Sequence, residues 1–194
     1  MVGVDNASDR RLVFLGAPGS GKGTQAEILA ETLGIPAIST GDMLREAVAA
    51  GSDLGARVSA IMSSGELVDD GTMAEVVRER LRQQDAAAGF LLDGYPRTLP
   101  QARTLSQILS EMSTELDSVL LIDVPEEELM KRALARQRAD DQEEVIRNRI
   151  RVYHEKTEPL VEFYGGLQLL RSVDGDQTID EVAAAVRQAV EENA

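Results

Sequence analysis

Short, continuous apolar runs alternate with longer segments of helical period along this chain. Apolar runs bounded by Gly, Asp or Pro are typical of strands buried on both faces of a sheet. The four runs are Leu12–Leu15, Phe90–Leu92, Val119–Ile122 and Leu167–Leu170. A shorter extended piece, Ile35–Ser39, would supply a fifth strand. The predicted helices are Thr24–Leu33, Thr40–Ala50, Thr72–Gln84, Thr98–Ser113, Pro125–Leu134, Asp141–Phe163 and Thr178–Glu192. This order predicts an α/β fold with a parallel sheet, in which ligands bind beyond the carboxyl ends of the strands.

Composition narrows the class of protein. The 194 residues suit one domain, and no stretch approaches the roughly 18 apolar residues that a membrane span requires. A net charge of −14 argues against a general nucleic-acid binder. With no cysteine and one histidine, His154, the chain excludes disulfides, thiol nucleophiles, cysteine-bound zinc and multi-histidine metal sites. This census fits a cytoplasmic protein, and the first residues lack the apolar core of a secretory signal.

A glycine-rich turn follows the first predicted strand. Gly16, Gly21 and Lys22 have the spacing Gly-x4-Gly-Lys, and a helix follows. Strand, turn and helix in this order are typical of a loop whose backbone N–H groups surround phosphate oxygens, with Lys22 reaching the β- and γ-phosphates. The general pattern has a hydroxyl directly after the lysine, but here Gly23 intervenes before Thr24. Thr24 could therefore contact phosphate directly, or magnesium only through water.

Two further predicted strands are followed by residues suited to phosphate chemistry. Thr40 is a plausible N-cap, and Arg45 in the helix that follows could hold a phosphate bidentately. A capped surface helix with a solvent-facing arginine would account for the same residues. Asp93 ends a predicted strand, where a carboxylate can orient magnesium-bound water, and Gly94 would permit a close backbone approach. Arg97 would point toward the phosphates, although an ordinary turn after a strand is the alternative.

Arginines are concentrated near residue 140. Six of the 17 arginines fall within 20 residues, namely Arg132, Arg136, Arg138, Arg147, Arg149 and Arg151. Phosphoryl transfer depends on alignment and on neutralising the charge of the moving group, which the permanent, planar guanidinium does well. A salt-bridged helical surface is the alternative, because several glutamates lie nearby. Asp141 and Glu144 have the spacing of a capping box, which predicts the start of the next helix.

These segments resemble the adenylate kinases and related nucleoside monophosphate kinases. The phrases that carry the resemblance are GAPGSGKGTQAE from Gly16, STGDMLR from Ser39, SGELV from Ser64 and GFLLDGYPR from Gly89. With the arginine-rich stretch they follow the family order from about Arg11 to the C-terminus. The resemblance implies a single P-loop kinase domain over 1–194 with a three-layer fold, its core at about 10–38, 69–135 and 142–194. It also implies a helical AMP-binding insertion at about 39–68 and a short lid loop at about 136–141.

The resemblance further implies roles for single residues. ATP would be bound by Gly19, Ser20, Gly21, Lys22, Gly23, Thr24, Arg132, Arg136 and Gln177. AMP would be bound by Thr40, Arg45, Glu66, Leu67, Val68, Gly94, Tyr95, Pro96, Arg97, Gln101, Arg138 and Arg149. The catalytic residues would be Lys22, Arg97, Arg136, Arg138 and Arg149. Asp93 and Thr24 would contact magnesium through water, with no direct protein ligand and no zinc.

The implied activity is reversible, magnesium-dependent transfer from ATP to AMP, giving two molecules of ADP by direct in-line displacement. The implied ligands are ATP, AMP and ADP, and the implied state is a monomer without nucleic-acid or membrane partners. Thr40 and Gln101 favour AMP, because related UMP and CMP kinases tend to carry Ala at the position of Thr40 and Asn near that of Gln101. A UMP/CMP or broader nucleoside monophosphate kinase is one alternative, and a non-catalytic nucleotide-binding regulator is another. Gln137 stands where the family usually has glycine, which tolerates positive φ better.

Overall fold

The fold is known from a computed structural model, which describes residues 10–136 and 142–192. Its centre is a five-stranded parallel sheet in the order β2–β3–β1–β4–β5. The strands are β1 (Arg11–Leu15), β2 (Ala37–Ser39), β3 (Phe90–Asp93), β4 (Ser118–Asp123) and β5 (Leu170–Asp174). The predicted α/β fold with a five-stranded parallel sheet flanked by helices is therefore confirmed.

Nine α-helices accompany this sheet within the part of the chain that the structure describes. They are α1 (Lys22–Leu33), α2 (Thr40–Ala49), α3 (Asp53–Ser64), α4 (Asp70–Leu81), α5 (Leu99–Glu111), α6 (Glu126–Ala135), α7 (Glu143–Val152), α8 (Pro159–Gly166) and α9 (Ile179–Glu191). A short 3₁₀ turn (Gln84–Ala86) precedes β3, and a π-helical turn (Tyr153–Thr157) joins α7 to α8.

The strand order determines where a ligand can bind. Strand β1 lies between β3 and β4, with Phe14 paired to Asp93 on one side and to Leu120 on the other. The connection that leaves β1 leads to β2, whereas the connection that leaves β3 crosses to β4. The carboxyl ends of β1 and β3 therefore form a switch point, where open parallel sheets bind ligands.

Side chains alternate between the two faces of the sheet and build a separate apolar core on each. Val13 and Leu15 pack with residues of α4, α5 and α8 on one face. Leu12 and Phe14 pack with residues of α1, α6, α7 and α9 on the other. Because both faces are covered, strand residues are apolar at consecutive positions, which is why the central strands were recognisable as continuous runs.

The extended piece Ile35–Ser39 contains β2, but the last strand along the chain, predicted at Leu167–Leu170, was wrong in position. The apolar run Leu167–Leu170 mostly forms a turn, in which Gln168 has a φ of 61° and Leu167 is 53% exposed. Strand β5 instead runs from Leu170 to Asp174, and only Val173 within it is buried. An edge strand covered on one face does not need a continuous apolar run, so the hydrophobic pattern marked the wrong residues.

The long helix predicted over Asp141–Phe163 is interrupted. It consists of α7, the π-helical turn Tyr153–Thr157 and α8, and Pro159 begins α8 because proline lacks the N–H that a helix interior needs. The expected capping box is also wrong. The N-cap of α7 is Gln142, which makes no side-chain capping bond, and Asp141 lies outside the described residues.

Helices α2, α3 and α4 connect β2 to β3, and α2 and α3 lie in the segment expected to bind AMP. The N-cap of α2 is Ser39, whose hydroxyl accepts from the Asp42 N–H at 3.3 Å, so the assignment of Thr40 as N-cap was wrong. The predicted helices omit α3, which has a glycine, Gly55, in its first turn. That glycine is buried, and a Cβ there would collide with the backbone of Ala47 in α2.

Most of the predicted lid loop, residues 137–141, lies outside the described residues. The proposed division into core, AMP-binding segment and lid loop therefore stays a prediction. Among the described residues, no helix combines the length and the apolar character needed to cross a bilayer.

Candidate active site

The loop between β1 and α1 has a backbone that requires glycine at specific positions. Gly16 has a φ of 142°, and a Cβ there would lie 2.6 Å from the carbonyl oxygen of Ile122 on β4. Gly19 has a φ of 91°, and a Cβ there would collide with the carbonyl oxygen of Leu129 on α6. Both glycines therefore allow the loop to lie directly against β4 and α6.

The N-terminus of α1 is shaped to receive an anion. Its N-cap is Gly21 in a left-handed conformation, and this residue contributes no side-chain capping bond. No side chain of the N-cap residue therefore occupies the first amides of the helix, and phosphate oxygens can accept from them. A Cβ at Gly23 would lie 3.7 Å from Asp93 Oδ2, so this turn of α1 lies beside the end of β3.

Lys22 lies at the centre of this loop. Its ammonium group donates to the carbonyl oxygens of Gly16 and Ala17 at 2.6 and 2.9 Å, and to Ser20 Oγ at 3.4 Å. Desolvation lowers the pKa of Lys22 to about 8, and the nearby arginines act in the same direction, while the carboxylate of Asp93 partly opposes them. The environment therefore disfavours this positive charge until an anion is present.

The loop after β3 carries Arg97 toward the same region. Arg97 Nε donates to the carbonyl oxygen of Gly94 at 2.7 Å, and the peptide bond between Tyr95 and Pro96 is cis. The carbonyl oxygen of Arg97 accepts from Thr157 Oγ1 at 2.9 Å. Thr157 belongs to the π-helical turn and is nearly fully buried. The interruption of the α7–α8 helix therefore supplies the hydroxyl that holds the Arg97 backbone.

Gln101 is buried at the start of α5, with both ends of its amide engaged. Its Oε1 accepts from the Arg97 N–H at 2.8 Å, and its Nε2 donates to Asp70 Oδ1 at 2.8 Å. The same Asp70 oxygen accepts from Thr98 Oγ1 at 3.0 Å. These contacts fix which end of the amide is the donor. Sequence reasoning missed Asp70, because it lies 31 residues from Gln101 and no local pattern links them.

Thr40 and Arg45 lie on α2 beside the end of β3. Thr40 is almost completely buried, and its hydroxyl donates to the carbonyl oxygen of Asp93 at 3.3 Å. Arg45 is partly exposed and forms an ion pair with Asp42 Oδ1 at 2.6 Å. A Cβ at Gly94 would lie 2.9 Å from both Thr40 Oγ1 and Arg97 Nη2, so the absence of a side chain at Gly94 lets these two groups converge.

Arg132 borders the opposite end of the cleft, between α6 and the loop after β5. It donates to Glu128 Oε1 at 2.9 Å, to the carbonyl oxygen of Gly175 at 2.8 Å and to Asp176 Oδ1 at 3.3 Å. Arg132 thus fixes the loop that carries Gln177 against α6.

A cleft of about 560 Å³ lies over the carboxyl ends of the strands. It is lined by most of the residues assigned to ATP and phosphate binding. Its basic residues are Lys22, Arg45, Arg97, Arg132, Arg136 and Arg149. Among the described residues that line it, Asp93 is the only acid. In a chain of net charge −14, this concentration of positive charge makes the cleft suited to a polyphosphate.

A second, smaller cavity of about 60 Å³ adjoins the cleft between α2, α3 and α5. Its lining includes Thr40, Arg45, Glu66, Leu67, Val68, Gly94, Arg97, Gln101 and Arg149. Most residues expected to bind AMP are therefore neighbours in the structure. Seven residues line both cavities and so lie at the junction between the two, namely Gly41, Arg45, Gly65, Leu67, Gly94, Arg97 and Arg149.

Some expected site residues lie elsewhere. Tyr95 is completely buried, and its hydroxyl donates to the carbonyl oxygen of Gln101 at 3.2 Å. Burial raises the pKa of Tyr95 to about 12, so it supports the loop from behind as a neutral side chain. Arg138 and Gln137 lie outside the described residues.

The residues of the cleft fit a magnesium ion that arrives with its nucleotide. No group of three or more acidic or histidine side chains that could hold a metal occurs among residues 10–136 and 142–192. Mg²⁺ usually keeps several waters and binds through one or two carboxylates plus substrate phosphates. Asp93 beside Gly23 provides one such carboxylate next to the phosphate loop.

Comparison with known proteins identifies the family. Residues 14–168 match the family model described as adenylate kinase. An adenylate kinase of Leptospira biflexa is 46% identical over 185 residues, covering 93% of this chain and 100% of that protein. Another, of Thermus thermophilus, is 50% identical over 183 residues, covering 92% and 96%. An adenylate kinase of Nocardia farcinica is 50% identical over 172 residues, covering 89% and 94%.

These matches confirm the resemblance drawn from the sequence, and with it the identification of an enzyme that transfers phosphoryl groups among adenine nucleotides. The basic cleft, the glycine-rich loop and the matches all lead to one conclusion: this chain belongs to the adenylate kinase family.

Proposed function

We propose that this enzyme catalyses the reversible, magnesium-dependent reaction of ATP with AMP to give two molecules of ADP, by direct in-line transfer. The observation that carries the proposal is the junction of the two cavities. Arg97 and Arg149 line both of them, so a phosphoryl group passing from one cavity to the other would move between these guanidinium groups.

The large cleft suits ATP. The glycine-rich loop and the first turn of α1 offer amides to the phosphates, and Lys22 can exchange its carbonyl partners for the β- and γ-phosphates. The base would lie toward Arg132 and Gln177, at the far end of the same cleft. Magnesium would supply charge neutralisation on the phosphates, held through water by Asp93 and Thr24.

The small cavity suits AMP. Gln101 presents a fixed donor and a fixed acceptor, and an amide of this kind can pair with the adenine edge. Thr40 and the backbone of Glu66 to Val68 would complete the base pocket, while Arg45, Arg97 and Arg149, which also line the cavity, would bind the phosphate. A UMP or CMP kinase is the second candidate, and Thr40 and Gln101 are the residues that disfavour it.

The chemistry needs no general base. The attacking oxygen belongs to the phosphate of AMP, which is already ionised, so no proton has to be removed. The work of the protein is to align the two phosphates, exclude water and stabilise the charge on the moving group. Arg97, Arg136 and Arg149 are the described residues that we assign to this stabilisation, together with Arg138 from the lid loop.

Incubation of the enzyme with ATP, magnesium and each of AMP, UMP, CMP and GMP, followed by chromatography, tests the proposal. ADP should form rapidly with AMP and slowly with the others. Faster turnover with UMP or CMP would overturn the assignment of the acceptor. ATP binding without turnover on any acceptor would favour the non-catalytic regulator. The monomeric state and the cytoplasmic location stay predictions that rest on the family resemblance.

A further inference from the structure

The C-terminal end of α3 is tied to α7 by one side chain. Asn148 Nδ2 donates to the carbonyl oxygen of Ser64 at 2.7 Å and lies 3.2 Å from Glu66 Oε1. The oxygen of the same amide, Asn148 Oδ1, accepts from Arg151 Nη2 at 2.7 Å. The last carbonyls of a helix have no partner within the helix. Asn148 therefore caps α3 from a helix that lies 84 residues away in sequence.

The charged groups around this contact are more exposed and less directional. Glu66 forms ion pairs with Arg151 at 3.5 Å and with Lys156 at 4.0 Å. All three side chains are at least two-fifths exposed. Exposed ion pairs of this length contribute little individually. The short hydrogen bond from the Asn148 amide to the carbonyl oxygen of Ser64 is therefore the specific connection.

The backbone next to this hydrogen bond packs closely against α7. Gly65 is buried and has a φ of 77°. A Cβ at this position would lie 2.9 Å from Arg149 Cγ and 3.1 Å from the carbonyl oxygen of Val145. The exit of the AMP-binding segment therefore rests directly on the residue that follows Asn148, and that residue, Arg149, lines both cavities.

We propose that Asn148 is a positioning residue for the acceptor nucleotide. By binding the carbonyl of Ser64, it fixes the backbone of Gly65 to Val68, which lines the acceptor base pocket, relative to the guanidinium of Arg149. The inference rests on the proposed function, in which that pocket holds AMP. It makes the binding of the acceptor, and not of ATP, sensitive to a side chain that touches neither nucleotide.

Steady-state kinetics of Asn148→Ala test this proposal. The KM for AMP should rise about three- to tenfold, the range expected if the neutral hydrogen bond to Ser64 carries the effect, while kcat and the KM for ATP change less than about twofold. Arg147→Gln is the matched control, because Arg147 lies on the same helix and forms its ion pair with Glu143 of that helix, at 2.8 Å. That variant should leave all three constants unchanged.

A charge variant separates positioning from a general loss of stability. Asn148→Asp removes the donor and places a carboxylate beside Glu66, so the KM for AMP should rise further than in Asn148→Ala. In the E66Q background, Asn148→Asp should raise the KM for AMP less than it does in the parent enzyme. The reason is that an amide at position 66 can donate to the new carboxylate. A merely structural role would show this difference in the melting temperature and not in the KM for AMP.

The outcomes distinguish this inference from the function on which it rests. An unmodified enzyme that fails to phosphorylate AMP overturns the proposed function. An active enzyme whose KM for AMP is unchanged in Asn148→Ala, or whose KM for ATP rises equally, overturns the role of Asn148. Hydrogen exchange of the Gly65 and Glu66 amides, which bond to the last turn of α3, should accelerate in the variant if the contact holds this junction.

Discussion

The side-chain nitrogen of Gln101 donates to Asp70 Oδ1 at 2.8 Å, which orients a buried amide that lines the smaller cavity. Asp70 begins α4, whereas Gln101 lies in the first turn of α5. In the proposed function, recognition of the acceptor base would therefore depend on the packing of two helices as well as on the identity of Gln101.

Asp70→Ala should weaken discrimination between acceptors. Without the carboxylate, the amide of Gln101 loses the partner that fixes its donor end. We expect the ratio of kcat/KM for AMP to that for UMP to fall about tenfold, as a lost hydrogen bond to a charged group would predict. Thr104→Ala on the exposed side of α5 is the control, since Thr104 bonds only to Pro100 within its own helix. An unchanged ratio would show that Asp70 does not orient the side-chain amide of Gln101.

Lys22 should make nucleotide binding dependent on pH. Burial holds its pKa at about 8, below its ordinary value, so a fraction of the ligand-free enzyme has lost this proton near pH 8. The phosphates of ATP favour the charged form, so binding at pH 8 should take up a proton, whereas binding near pH 6.5 should not. Calorimetry in two buffers of different ionisation enthalpy measures this uptake. Lys22→Arg, which stays charged, should abolish it, and equal uptake in that variant would contradict the assignment.

The same shift affects stability, and its sign follows from linkage. The unfolded chain holds the Lys22 proton up to about pH 10.5, whereas the folded chain releases it near pH 8. Between these values the unfolded state binds more protons, so the Lys22 contribution to the free energy of unfolding rises with pH. Urea titrations at pH 7.5 and 9.5 should therefore show a smaller increase in the free energy of unfolding for Lys22→Met than for the parent. A larger gain in the variant would contradict the shift.

Arg97→Ala should impair the chemical step while leaving the fold intact. Removing one preorganised donor to the moving phosphoryl group should lower kcat at least about 100-fold. The change in melting temperature should be small, because Arg97 lines the cavities and is not part of either apolar core. Arg103→Ala, at an exposed position on α5, is the control and should retain full activity. Near-normal turnover in Arg97→Ala would remove this residue from the mechanism.

Alanine should have opposite effects at two glycines, one in the glycine-rich loop and one in helix α8. Gly19→Ala should abolish measurable ATP binding, since the new Cβ would collide with the backbone of Leu129 at a φ of 91°. Gly165→Ala places a Cβ in open space on α8. It should raise the melting temperature by about 2–4 °C, the shift expected from roughly 1 kcal/mol of helix propensity. Calorimetric binding of ATP and a thermal melt of both variants check the pair.

Local sequence patterns predicted the phosphate loop and the three central strands well. Residues Gly16 to Thr24 carry their conformational requirements within nine positions, and β1, β3 and β4 are buried on both faces. The edge strand β5 was misplaced because only one of its residues is buried. The π-helical turn was missed because its function is to bring the hydroxyl of Thr157 to Arg97, 60 residues away in sequence.

The contacts that complete the site were not predictable for the same reason. The bond between Asp70 and Gln101 and the bond between Asn148 and Ser64 join residues that become neighbours only when separate helices pack. No periodicity or spacing along the chain records such a pairing. Composition alone gave a strongly acidic protein, whereas the fold gathers six basic side chains into one cleft.

The proposed function requires that the γ-phosphoryl group of ATP passes directly to AMP within this cleft. The most direct test is a single-turnover reaction with ATP that carries a radioactive γ-phosphate, in the presence and absence of AMP. With AMP, the label should appear in the β-phosphate of ADP, and none should stay on the protein. Label released as inorganic phosphate regardless of AMP, or retained covalently on the protein, would contradict direct transfer.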